Sequence, residues 1–339
     1  MAGNLLSRPA RWHGAVAVAV KRARVTGRSL PEMATALDKQ EARAEGYSAV
    51  PVMGLAADRP LGFPLYLRTA ERTWVLYRPA SAEIDAAQVG RLYAEGVVEL
   101  FIRNADRSLY FNRVRDSLDR VLLERDVPLD VRADVLVGVA TRMADELLAA
   151  RPDRAGVQRA RKVMMATSGL MLREPKGFSA VRKMLSHSNA LSKHALTVGF
   201  LSMGLAKVAY GADANGLMLA GLAGLLHDIS HIGNTGGDDD DMHAIRSADY
   251  LAELGLPEPI VLAARHHHER WDGSGTPHGL RGEDIPKLAR VVGLADTFDK
   301  VYGAQRPRVS VFDALRIVAT AYRDCFDPRL APAFVKLFR

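Results

Sequence analysis

The sequence predicts a mainly α protein, with a C-terminal all-α helical bundle preceded by a small α/β N-terminal domain. Three observations carry this prediction. Beyond about Phe111, apolar residues recur three and four positions apart over long segments. Before it, short β-branched and aromatic runs alternate with turn residues. Across 339 residues, 48% hydrophobic and 25% charged content leaves ample apolar material for a core and excludes disorder over most of the length.

The chain opens on a basic arm, residues 1–45. Residues 1–30 carry Arg8, Arg11, Lys21, Arg22, Arg24 and Arg28 and no acid, so six of the seven net positive charges sit there. The arm reads as a solvated terminus, and a nucleic acid polymer is not an expected partner. Its apolar stretch Gly14–Val20 has seven residues, far short of the roughly 20 that span a bilayer, so no membrane span is expected. The lone Cys325 excludes an intramolecular disulfide and a Cys-x-x-Cys site, which fits a reducing cytoplasm.

Residues 46–110 form the small α/β domain. Its runs are broken by Asp58-Arg59-Pro60-Leu61-Gly62, and the β-branched, aromatic Thr73–Tyr77 completes a hairpin with the run before it. A helix from Ser81 to about Glu95 and a strand over Val97–Ile102 follow, and no phosphate loop or nucleophile motif accompanies them. Residues 111–170 are connecting helices, marked by Val114, Leu118, Val121 and Leu122 and then by Val135, Val139, Met143 and Leu147. The segment 112–150 is also where a homodimer is expected, if one forms. Residues 171–339 make the bundle, punctuated by Gly211-Ala212-Asp213 and Asp327-Pro328.

Nine of the ten histidines lie between His187 and His278. His227-Asp228 ends the almost wholly apolar run Leu217–Leu226, where two ionisable groups need a partner to offset desolvation. Alone, such a pair is ordinarily a hydrogen-bonded helix end. Here His194 precedes the helical apolar set Val198, Leu201, Leu205 and Val208, His243 opens a segment closed by Gly255, Ile260, Val261 and Ala264 lead into His266-His267-His268, and Asp296 ends an apolar helical run. Imidazoles and carboxylates without thiolates suit Fe, Mn or Zn, and six or seven such ligands are what a two-metal site requires.

In that order, His194, His227-Asp228, His243, His267-His268 and Asp296 resemble the HD superfamily of metal-dependent phosphohydrolases. The stretch from His267 through Trp271-Asp272-Gly273-Ser274-Gly275-Thr276-Pro277 to Glu283-Asp284-Ile285-Pro286 is similar to the HD-GYP branch, as are Ala295-Asp296-Thr297-Phe298-Asp299 and Arg306-Pro307. The likeness covers roughly residues 180–325. It implies a cytoplasmic bacterial phosphodiesterase that opens cyclic di-GMP, or a related cyclic dinucleotide, to pGpG or GMP. It also implies two divalent ions per chain, Fe first and Mn second, with His194, His227 and Asp296 on one, His243, His267 and His268 on the other, and Asp228 between them. Two such ions roughly 3.5–4 Å apart hold a hydroxide and clamp phosphoryl oxygens. Asp228 and His231 are the catalytic pair on this reading, while Gly275, Thr276, Pro277, Arg306 and Arg308 face the substrate.

Some positions depart from the family pattern. The tyrosine of Gly-Tyr-Pro is Thr276, the lysine three residues after the HD aspartate is His231, and Ala190 stands where three-metal members carry a glutamate. These departures motivate two alternatives: a weak or inactive HD-GYP protein that binds cyclic dinucleotides as a signalling module, or an HD phosphohydrolase of another nucleotide. The acidic run Gly236–Asp241 reads as a solvated loop. His187 and His266 fall outside the pattern and His278 occupies a variable position, so none of the three is given a role.

Overall fold

A computed structural model describes residues 42–55, 59–68, 73–97, 99–123, 127–182, 191–232, 242–304 and 310–338. Arg306, Arg308, Ala190, His187, the acidic run and most of the basic arm lie outside them. The chain divides into two compact units, residues 1–117 and 118–339.

The first unit is an antiparallel sheet with helices. Strands β1 (Tyr47–Pro51), β2 (Leu65–Arg68), β3 (Trp74–Arg78) and β4 (Glu99–Arg103) take the order β1-β4-β2-β3. The expected hairpin is β2–β3, whereas β1 pairs with β4, Tyr47 opposite Arg103 through Pro51 opposite Glu99. Helix α1 (Ala86–Ala94) starts later than its sequence suggests. The reason is local: Asp85 Oδ1 accepts the Gln88 amide and Gln88 returns a bond to the Asp85 amide, which sets the first turn. Helix α2 (Arg107–Asp116) buries Tyr110 and Val114 against the turn at Gly54, and the Tyr110 hydroxyl donates to the Pro51 carbonyl. Its buried Arg113 donates to the carbonyls of Leu55, Arg59 and Pro60, pinning the loop before β2. Among the described residues, no metal-type donor cluster occurs in this unit.

The second unit is all helical. Helices α3 (Leu118–Leu123), α4 (Leu129–Leu148), α5 (Arg154–Arg173) and α6 (Gly177–Arg182) pack with α7 (Leu191–Tyr210), α8 (Ala214–Leu226), α9 (His243–Glu253), α10 (Glu258–His266), α11 (Lys287–Ala304), α12 (Val311–Ala321) and α13 (Leu330–Leu337). Helix α8 is the axis. It is apolar on every side because α5, α7, α10 and α11 surround it, and Asp213 caps it through the Gly216 amide. It lies against α7 with no side chain between them: a Cβ on Gly224 would stand 2.7 Å from the Gly199 Cα. That crossing brings the ends carrying His194 and His227 together. In α7, Val198, Leu201 and Leu205 are buried as expected, while Val208 is turned to solvent.

Candidate metal centre

Each candidate ligand sits where a helix starts, ends or presents its buried face. His194 lies in the first turn of α7, His227 caps the C-terminal end of α8 and is followed directly by Asp228, His243 is the first residue of α9, His267 caps α10 with His268 next, and Asp296 is mid-helix in α11. These five places converge.

The donors fall into two groups. In one, His194 Nε2 stands 3.2 Å from Asp296 Oδ1, and His227 Nε2 lies 3.6 Å from that oxygen and 3.2 Å from Asp228 Oδ2. In the other, His268 Nε2 is 2.9 Å from His243 Nε2, with His267 beside both. Asp228 turns one oxygen to each group, since Oδ1 lies 3.4 Å from His243 Nε2 and 3.3 Å from His267 Nε2. His231 adds a ring 4.7 Å from that of His243.

The protons on the rings are fixed from behind. His227 Nδ1 lies 2.8 Å from the Gly224 carbonyl and His267 Nδ1 2.7 Å from that of Ala264. A carbonyl only accepts, so each Nδ1 carries the hydrogen and each ring turns Nε2 inward, where a neutral ring offers its lone pair. His194 Nδ1 donates likewise to Asp299 Oδ2 at 2.8 Å. The inward atoms of all three rings, with Asp228 Oδ1 and Asp296 Oδ1, are buried and lack a hydrogen-bond partner. Lone pairs of nitrogen and of carboxylate that face one another in a buried space are satisfied together by a cation. The residues present therefore fit divalent metal ions.

The electrostatics agree with this donor set. Burial pushes Asp228 and Asp296 up, yet the imidazoles around them, His227 foremost for Asp228 and His194 for Asp296, hold both carboxyls well below the ordinary range. Burial lowers His267, and burial with His267 alongside takes His268 down to about 2. Both rings are thus neutral donors. His227 moves the other way against the same burial, because Asp228 and Asp296 both press on its Nε2.

Two neighbours escaped the sequence reading. Asp299 orients His194, and Lys300 reaches back one helical turn to place Nζ 2.9 Å from Asp296 Oδ2 and 4.0 Å from Asp228 Oδ2. The spacing of Asp296, Asp299 and Lys300 along one helix was the available signal.

The loop after the histidines is tied to them. Glu269 is buried, and its carboxylate accepts the amides of His278 and Leu280, while the Thr276 amide donates to the His268 carbonyl. Gly275 is pressed against this turn: a Cβ there would lie 2.3 Å from Arg270 N and 2.4 Å from His268 O. Thr276 is exposed at the rim beside the half-buried Pro277.

Residues 239–330 match the family model described as HD domain. That stretch of the chain is similar to HD domains. It is 30% identical over 185 residues to a cyclic di-GMP phosphodiesterase of Pseudomonas aeruginosa, covering 50% of this chain and 44% of that protein. With a cyclic di-GMP phosphodiesterase of Thermotoga maritima the identity is 38% over 95 residues, 27% of this chain and 24% of the relative. A 3'3'-cGAMP-specific phosphodiesterase of Vibrio cholerae shares 29% over 130 residues, 34% and 28% of the two chains. The chain thus spans less than half the length of these curated relatives. Among solved structures, an HD-GYP-type protein of Bdellovibrio bacteriovorus matches with a TM-score of 0.60 at 18% identity, over 86% of this chain and 99% of that one, so the fold is shared. Among the described residues, no helix is long and apolar enough to cross a membrane.

Proposed function

We propose that this chain is a two-metal phosphodiesterase that hydrolyses a cyclic dinucleotide, cyclic di-GMP first, to pGpG or GMP. The observation that carries the reading is Asp228, whose two oxygens face two separate groups of inward-turned imidazoles. His194, His227 and Asp296 would hold one ion and His243, His267 and His268 the other, with Asp228 shared between them. Divalent iron or manganese held there supplies charge neutralisation for phosphoryl oxygens and acidifies water near neutral pH.

The remaining roles fall to the chain's own groups. Asp299 and the Gly224 and Ala264 carbonyls keep the imidazoles aimed. Lys300 brings an ammonium to the carboxylates, which compensates for the lysine replaced by His231 and suits an anionic substrate. His231, against His243, is placed to take or give a proton. Gly275, Thr276 and Pro277 form a rim held to the His268 turn, and Arg306 and Arg308 are proposed to meet a phosphate bidentately. The names of the relatives, which include phosphodiesterases of both cyclic di-GMP and 3'3'-cGAMP, support the cyclic dinucleotide class.

The test is hydrolysis of cyclic di-GMP and of 3'3'-cGAMP by protein loaded anaerobically with Fe(II) or Mn(II). Cleavage that Asp228→Ala abolishes supports the reading. Metal retained without cleavage of either compound would make the chain a binding module, and cleavage confined to another phosphoester would reassign the substrate.

A further inference from the structure

A second donor cluster, which shares no residue with the candidate metal centre, lies at the same histidine turn. His266, the last residue of α10, Glu269 and His278 bring one ligand atom each to within 4.8 Å of one another. His266 Nδ1 stands 3.6 Å from Glu269 Oε1 and His278 Nδ1 3.7 Å from the same oxygen, and the two rings are 5.1 Å apart.

These separations are informative. They exceed a hydrogen bond, and His266 Nδ1, in a residue only 9% exposed, has no hydrogen-bond partner. Glu269 has no need of either ring, since the His278 and Leu280 amides already occupy its oxygens at 2.8 and 2.9 Å. Two donors bound to one tetrahedral ion at roughly 2.0–2.1 Å stand roughly 3.3–3.5 Å apart. The two spacings to Glu269 Oε1 need to close by only a few tenths of an ångström, and the two imidazole nitrogens, within 4.8 Å of each other, by at most about 1.5 Å. Two imidazoles and one carboxylate, with the fourth position open to solvent, are a donor set that zinc takes. The amides that hold Glu269 act as the outer support such ligands require, and His278, 46% exposed on its side chain, provides the way in.

We propose that His266, Glu269 and His278 form a third, mononuclear metal site, of the zinc type, which clamps the loop 276–280 to the end of α10. The clamp joins a helix end at His266 to a loop residue twelve positions on, next to His267 and His268, so an ion bound there stiffens the rim without entering the reaction.

The full chain tests this with zinc itself. After dialysis against excess zinc, elemental analysis should find one zinc fewer per chain in His278→Gln than in the parent. Asp228→Ala, which weakens the main centre, should retain the ion that Asp228→Ala/His278→Gln loses. This comparison holds whether or not the main centre hydrolyses anything. His278 is exposed, so its replacement leaves the fold intact, and His266→Gln should give the same loss. Zinc also raises the melting temperature in the Asp228→Ala background and fails to do so once His278 is replaced. Equal zinc content with and without His278 in the Asp228→Ala background overturns the proposal, as does zinc stabilisation that survives both histidine replacements.

Discussion

Replacing Gly275 by alanine isolates the link between the rim loop and the metal ligands. The added methyl would sit 2.3 Å from Arg270 N, 2.4 Å from His268 O and 2.5 Å from Glu269 Cα, all main-chain atoms that cannot rotate away. Ordinary contact begins at 3.4 Å, so the loop and the histidine turn must part by about 1 Å. Overpacking of this kind costs roughly 1–3 kcal/mol, and the lost freedom of the unfolded chain returns about 0.4–1 kcal/mol. The net cost is about 1–2 kcal/mol, or roughly 2–8 °C in melting temperature for a unit of this size. The effect on the centre is larger, because metal ligands tolerate displacements of only about 0.2 Å and disturbed outer support weakens metal roughly 10–100-fold. Gly303→Ala is the control: its Cβ meets nothing within 4 Å on an exposed face of α11, so the same chemical change should be neutral or stabilising by up to about 1 kcal/mol. Thermal unfolding and metal titration of both variants decide the matter. If Gly275→Ala melts within 1 °C of the parent and binds manganese as tightly, the loop does not brace the ligands and the reasoning fails.

Further outcomes follow from individual contacts. Asp299→Ala removes the carboxylate behind His194 and should weaken the metal roughly 10–100-fold while the circular dichroism stays unchanged, so equal affinity would show that His194 needs no orienting partner. Lys300→Met removes an ammonium 2.9 Å from Asp296. Manganese should then bind roughly three- to tenfold more tightly at low salt, an effect that fades as salt rises; unchanged affinity would place the ammonium elsewhere when metal binds. The buried Asp327 accepts from Arg290, Arg329 and Tyr210, and although burial opposes ionisation, these bonds, led by Arg329, take its carboxyl from 3.8 to about 2. A depressed carboxyl stabilises above its unfolded value, so about 2 kcal/mol is present above pH 4 and disappears as pH falls through about 2. The stability deficit of Asp327→Asn should accordingly shrink over that interval in chemical denaturation, and a pH-independent deficit would contradict the assignment.

The legible parts of the molecule were those with a period or a fixed residue type. The uninterrupted apolar run of α8 could only be a buried helix, and seven imidazoles and carboxylates set in or beside apolar helical runs marked the centre. What stayed hidden depends on contacts between segments distant in the chain. The pairing of β1 with β4 rather than β2 is set by tertiary packing, since alternation in Tyr47–Pro51 suits either neighbour. Gly275, which the family likeness turns toward the substrate, also marks a close approach of two main-chain segments. Glu269, His266 and His278 meet only because the loop folds back over nine residues. Asp299 and Lys300 were in plain sight, one turn beyond Asp296, but an acid and a base on a half-exposed helix face are ordinarily solvated, and only the position of His194 gives them meaning.

Anomalous-scattering maps from crystals of the manganese-loaded chain test the central claim most directly. Two peaks are predicted, one within bonding distance of His194, His227 and Asp296, the other of His243, His267 and His268, with an oxygen of Asp228 reaching each. Peaks lying away from these side chains, or a map empty at the Asp228 carboxylate after manganese and iron have both been supplied, would contradict it.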